Sequence, residues 1–155
     1  MSGELSPSGT PGRHRSAGPA PTLAGRPLAI RLGLAGAGAA VSAYLTLLHW
    51  APRALACPRA GLVDCGTVLD SPASLWLGIP VAIWGLVWFL VAGVLAWRAA
   101  SGLRFLWAGA GAVAVLGLVY TELFVVGALC LWCTLVHLLV LALFALETAS
   151  FASGA

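Results

Sequence analysis

The sequence contains no lysine, and only 8% of its 155 residues are charged. A soluble domain carries about 25% charged residues, so this scarcity excludes an ordinary water-soluble fold. No dinucleotide fingerprint, P-loop or haem-attachment motif is present. There is no basic face carrying base-reading groups, so nucleic acid is not an expected partner. Internal repeats are absent too. What is present instead is 61% hydrophobic residues and a mean hydropathy of +0.99. The composition is that of a membrane protein, and four cysteines in so short a chain require an explanation.

Residues 1–27 are rich in Pro, Gly, Ser and Ala without an apolar period, and read as a disordered tail. Four apolar runs follow, over 32–52, 79–97, 105–121 and 123–146. A helix needs roughly 20 apolar residues to cross the bilayer core. Glu122 closes the third run and Glu147 the fourth, with a sharp turn expected around 121–128. The expected organisation is a tail over 1–27, a membrane domain over 28–148 and a short C-terminal tail over 149–155. Glycines in the first and third runs (Gly33, Gly36, Gly38, Gly109, Gly111, Gly117) would let helix backbones approach closely.

Charge sets the expected orientation. Arg13, Arg15, Arg26 and Arg31 precede the first run, and Arg98 and Arg104 flank the second-to-third connection. With four spans these fall on one side, the cytoplasm by the positive-inside rule. Both termini are then cytoplasmic. Arg53 and Arg59 are balanced by Asp64 and Asp70, so the 51–71 loop falls outside, as does the turn before the fourth run. All four cysteines therefore share the extracytoplasmic face of the cell inner membrane, where disulfides persist. A competing reading takes Ala54 and Ala56 in "ALAC" as a signal-cleavage site. The apolar run before it is long for that purpose.

Cys130 and Cys133 form a CxxC. At a helix start, both share a face and feel the partial positive charge of the N-terminus. CxxC thiols can titrate at about 3.5–7.5. Cys57 and Cys65, in "CPRAGLVDC", lie in a polar loop where Pro58 and Gly61 favour a bent, mobile segment. Two pairs on one face suggest a relay by thiol–disulfide exchange. A static staple and a four-cysteine zinc site are the alternatives, though the 57–65 spacing is wide for zinc. A strong thiol oxidant sits at about −120 mV, so its own oxidant must lie higher. A lipid-soluble quinone reaches a membrane helix directly, although composition does not name it.

His137 follows Cys133 by four residues, on the same helix face and about 6 Å deeper. It could hydrogen-bond or protonate a quinone oxygen, or bond between helices. Trp132 and Thr134 are weaker candidates, read mainly as packing and local hydrogen bonding. His49 beside Trp50 reads as an interfacial anchor. In "DSPASLWLGIP", Ser71 followed by Pro72 reads as an N-cap and first helical position. Gly78 and Pro80 break the run, leaving a short extracytoplasmic half-helix between spans one and two. Ser71 could cap it, or bond a ligand or thiolate. Glu122 reads chiefly as a solvated interfacial charge, with a catalytic acid as the alternative.

The loop pair, the stretch "DCGTVLDSPASLWLGIPVAIWG" and "ELFVVGALCLWCTLVH" together resemble the vitamin K epoxide reductase family in its bacterial form. The resemblance covers roughly residues 28–147. It implies an all-α membrane protein, a four-transmembrane-helix bundle around a quinone. Cys130 and Cys133 would be the active-site pair, with Cys133 nearest the quinone, and Cys57 and Cys65 the shuttle pair. Ser71 corresponds to a family loop serine between the two pairs. His137, Ser71 and Trp132 would belong to the quinone site. Many bacterial relatives carry a fused thioredoxin domain. None follows Glu147 here, so the expected partner is a separate thioredoxin-fold, DsbA-like protein.

The expected activity is that of a disulfide-generating quinone reductase. Its acceptor would be menaquinone, ubiquinone or a vitamin K-type quinone, and no metal would be needed. A quinone-epoxide reductase shares the chemistry. A disulfide-stapled scaffold and a metal-binding membrane protein are the competing classes.

Overall fold

The computed structural model describes residues 25–51, 57 and 61–153. The expected tail before residue 25, Ala54 and Ala56 of the cleavage reading, Pro58, and Arg53 and Arg59 lie outside them. Lipid offers backbone groups no hydrogen-bond partner, so long apolar runs close their own ladders as helices. Four do so: α1 (Gly25–Trp50), α3 (Val81–Arg98), α4 (Ser101–Tyr120) and α5 (Leu131–Ala152). Each is long and apolar enough to cross a membrane, α4 together with the π-helical turn Thr121–Val126 that extends it. Helix α1 packs mainly on α3 and α5, and α4 on α5, with a lighter α3–α4 contact closing the ring.

Much of the apolar surface stays outside. Trp97 is 76% exposed, Val113 70% and Leu116 67%, a display that water would not tolerate but lipid does. Inside, Phe89, Val115, Val140 and Leu143 form a mid-bundle core. In lipid, association rests on packing rather than on hydrophobic exclusion. The glycines serve this by receiving rings. A side chain at Gly38 would collide with the Phe89 ring, and one at Gly111 with the Trp88 indole. Gly33, Gly36 and Gly117 face no neighbour within 4 Å, so their expected role in close helix approach is not realised.

The bundle end where α1 begins and α5 closes is tied by ions. Glu147 is 4% exposed and accepts from Arg31 Nε at 2.6 Å and from Arg104 Nε at 3.1 Å. Arg31 also donates to Ser150 Oγ at 2.6 Å. The cluster joins α1, α4 and α5. Buried charges in a membrane protein pair in this way. Removing one partner of such a pair costs about 3–5 kcal/mol in soluble proteins.

Several boundaries differ from the sequence reading. The fourth span begins at Leu131 rather than 123, because the third helix continues through Val126. Gly127, at φ 69°, then ends it in the left-handed region. The half-helix also sits earlier than expected. It is α2 (Cys65–Asp70), followed by a 3₁₀ turn over Pro72–Ser74. Residues expected to continue the helix instead pair as β1 (Leu75–Trp76) with β2 (Ile79–Pro80). Positive φ at Leu77 and Gly78 makes the tight hairpin turn. Helix α1 already includes Gly25, and α5 continues through Ala152.

Candidate active site at the cysteine end

Asp64 fixes the first cysteine pair. Its Oδ1 accepts from the N–H groups of Gly66 at 3.0 Å and Thr67 at 3.2 Å, capping α2 so that Cys65 opens the first turn. Val63 forms a parallel bridge with Leu129. The Asp64 N–H donates to Leu129 O at 3.0 Å, and the Leu129 N–H to Leu62 O at 2.8 Å. This clasp binds the segment that precedes Cys65 to the segment that precedes Cys130. Both cysteines are fully buried in one apolar cluster with Leu45, Leu48, Val68 and Ala128. Cys57 and Cys133 pack on the edge of that cluster, each partly exposed. Cys57 is disulfide-bonded to Cys65, with 6.2 Å between Cα atoms, and Cys130 and Cys133 are free.

Cys130 is the N-cap of α5, and its Sγ accepts from the Cys133 N–H at 3.3 Å. Thr134 Oγ1 donates to Cys130 O at 2.9 Å, anchoring the first turn. The Cys133 thiol donating to Cys130 Sγ holds the Cys130 thiol below its ordinary value. Burial opposes this, the Cys133 and Trp132 N–H groups assist it, and the nearby Glu122 carboxylate opposes it. The helix start thus polarises the pair, as a CxxC at an N-terminus should.

Glu122 corrects the sequence reading. Expected as a solvated charge, it is buried, 6% exposed. The π-helical turn widens the helix end, and the Gly127 and Ala128 N–H groups return to Glu122 O. That reversal folds the chain over the side chain, and the Cys130 N–H donates to its carboxylate.

His137 is buried on α5, one turn inward of Cys133. Trp132 packs on the cysteine cluster and meets Tyr44 of α1 edge-on, with centroids 5.1 Å apart. Ser71 does not cap the following turn with its side chain. It ends α2, and its hydroxyl donates to Val68 O at 2.9 Å. It lines an open groove with Asp64, Thr67, Asp70 and Val126, whose walls include neither Cys133 nor His137. The structure therefore gathers the four cysteines and Trp132, while Ser71 stays on the outer side. His49 meets Trp50 edge-on at 5.8 Å. Among the described residues no three His, Cys, Asp or Glu side chains converge as a metal site would require.

Sequence reasoning passed over Asp64, Tyr44 and Ser42. An Asp directly before "CGT" is a cap signal that could have placed α2. Tyr44 and Ser42 carry no sequence signal beyond being polar in an apolar span. Ser42 is fully buried, its Oγ has no partner among the described residues, and its neighbours Val41 and Leu45 belong to the cysteine cluster.

Fold and site together define a membrane four-helix bundle with two cysteine pairs packed at one end. The family model described as Vitamin K epoxide reductase family matches residues 29–148. The chain belongs to that family. A search of curated proteins finds no match. Membership makes the chain, in general terms, a multi-pass membrane oxidoreductase of thiol–disulfide and quinone chemistry.

The residues present suit a quinone. Its carbonyl oxygens need hydrogen-bond donors inside an apolar bundle, and His137 and the orphan Ser42 hydroxyl are buried groups of that kind. When bound, a quinone supplies an acceptor for two electrons and two protons.

Proposed function

We propose that the protein generates disulfides. It takes electrons from a separate thioredoxin-fold dithiol and delivers them to a membrane quinone. The observation that carries this reading is the order of burial along the sulfurs. Cys57 and Cys133 are partly exposed at the two ends, and Cys65 and Cys130 are fully buried between them. A partner protein can reach Cys57, an acceptor among the helices can reach Cys133, and the buried Cys65 and Cys130 share one apolar cluster.

The exchange balances at each step. The partner dithiol reduces the Cys57–Cys65 disulfide and becomes a disulfide. Cys65 thiolate then attacks Cys130 of the Cys130–Cys133 disulfide, and Cys133 leaves. Cys57 closes on Cys65 and frees Cys130. The result is a bonded loop pair and a free inner pair, the arrangement found in the structure. Closing Cys130 on Cys133 then gives two electrons and two protons to the quinone, which departs as quinol. Cys130, Cys133, Cys57 and Cys65 carry the reaction in this reading. His137 and Trp132 border the quinone, and Ser71 holds the loop between the pairs.

Orientation follows from arginine. Arg98 and Arg104 lie at the end opposite the cysteines, and Arg31, near the start of α1, shares Glu147 with Arg104 at that same end. That end is placed in the cytoplasm and the cysteines outside.

The test is oxidation of a reduced thioredoxin-fold protein by detergent-purified material with a soluble quinone, and with a quinone epoxide in parallel. Disulfide and quinol should appear in equal amounts, with the quinone as the better acceptor. Thiol oxidation without quinol would refute the proposal.

A further inference from the structure

Two acids are buried in the bundle, and they are treated differently. Both oxygens of Glu147 are engaged by guanidinium groups. Glu122 has no cationic partner among the described residues. Its Oε2 is buried without a hydrogen bond among the described residues, while the carboxylate accepts the Cys130 N–H. Leaving a buried polar oxygen unpaired is costly, and a redox or catalytic role is one reason native proteins keep such a group. An amide would accept the same N–H, so capping alone does not require an acid here.

Oxidation of the inner dithiol releases two protons inside an apolar cluster with few acceptors. The other titratable groups at this end of the surrounding elements are Cys130 capping α5, Cys133 and His137 on α5, Asp64 and Asp70 bounding α2, Tyr120 on α4, and Tyr44 and His49 on α1. Asp64 is committed to capping α2, and Tyr120 is 60% exposed, stacked on Phe124. Asp70 lines the outer groove. Glu122 alone joins an unpaired buried oxygen to the backbone of the reacting cysteine.

We propose that Glu122 is the proton acceptor for the Cys130–Cys133 dithiol, a role that rests on the quinone-reductase reading. As the S–S bond closes, the two sulfurs lose two electrons and two protons. One proton travels with the electron pair to the quinone. Glu122 Oε2 takes the other and then releases it for the second quinone oxygen. General acid–base groups contribute about 100-fold or more. Glu122→Gln should therefore slow quinol formation about 100-fold, with dithiothreitol as donor, and Glu122→Asp should recover part of the rate.

A second readout separates this role from a structural one. The purified full chain is cycled with dithiothreitol and diamide, without quinone, and its oxidised-minus-reduced infrared difference spectrum is recorded. Wild type should show a carboxyl C=O band that moves in heavy water and is lost in Glu122→Gln. Should that variant not fold, carboxyl-¹³C glutamate labelling of wild type shows whether the band belongs to a glutamate. A wild-type quinol rate in Glu122→Gln, or a difference spectrum lacking a glutamate carboxyl band, overturns the proposal. Absence of quinol formation by wild type would instead refute the quinone-reductase reading, and the infrared result would still decide the role of Glu122.

Discussion

Cys133→Ala is expected to reduce quinol formation to the uncatalysed background, with a small dithiol as with a protein donor. The reason is stoichiometric. Two-electron transfer to the quinone ends in an S–S bond between residues 130 and 133, and a single sulfur cannot close it. Geometry adds a second reason. Cys130 is fully buried, whereas Cys133 is partly exposed and lies one turn from His137. The fold should survive, since the Cys133 N–H that bonds Cys130 Sγ belongs to the backbone. The variant also carries a titration signature. Wild-type Cys130 is held below its ordinary value first by the Cys133 thiol. With that donor removed the value rises, so less Cys130 is thiolate at neutral pH. Ultraviolet thiolate absorbance should therefore appear at higher pH in Cys133→Ala than in wild type. Quinol production by the variant at the wild-type rate would contradict the assignment.

Cys57→Ala separates the two donors. Cys65 has no exposed surface, so a folded protein cannot reach it and must engage Cys57. The variant should oxidise a thioredoxin-fold partner only at background rate. Dithiothreitol is small enough to reach the edge of the cluster at Cys133, so oxidation of this donor should persist. Parallel stopped-flow assays with both donors check this. Equal loss with both would mean that the loop pair is structural and that electrons enter elsewhere.

The helices were readable because each span is an uninterrupted apolar run, and lipid leaves such a run no alternative to a helix. Their ends were less so. Residues 121–131 are apolar on both sides of the turn, and hydropathy cannot register a left-handed glycine at 127 or a π-helical turn before it. The short helix was misplaced for a related reason. Ser71–Pro72 is a true start signal, but of a 3₁₀ turn, while the helix itself starts earlier, behind the Asp64 cap. A glutamate that closes an apolar run, as Glu122 does, reads as solvated. Its burial depends on a chain reversal several residues later. Arg31 and Glu147 are 116 residues apart, and nothing local announces that pairing. The four cysteines stood out on composition alone. What brings Cys65 beside Cys130 is a backbone clasp between 62–64 and 129, and backbone pairing of so few residues leaves no trace in side-chain pattern.

The same clasp offers the most direct measurement. If electrons cross between Cys65 and Cys130, removing the two outer sulfurs should leave these inner ones to bond with each other. In the double variant Cys57→Ala, Cys133→Ala, mild oxidation in the membrane should join Cys65 to Cys130, read as a cross-linked peptide by mass spectrometry without reduction. Recovery of both cysteines as free thiols after that oxidation would contradict the relay.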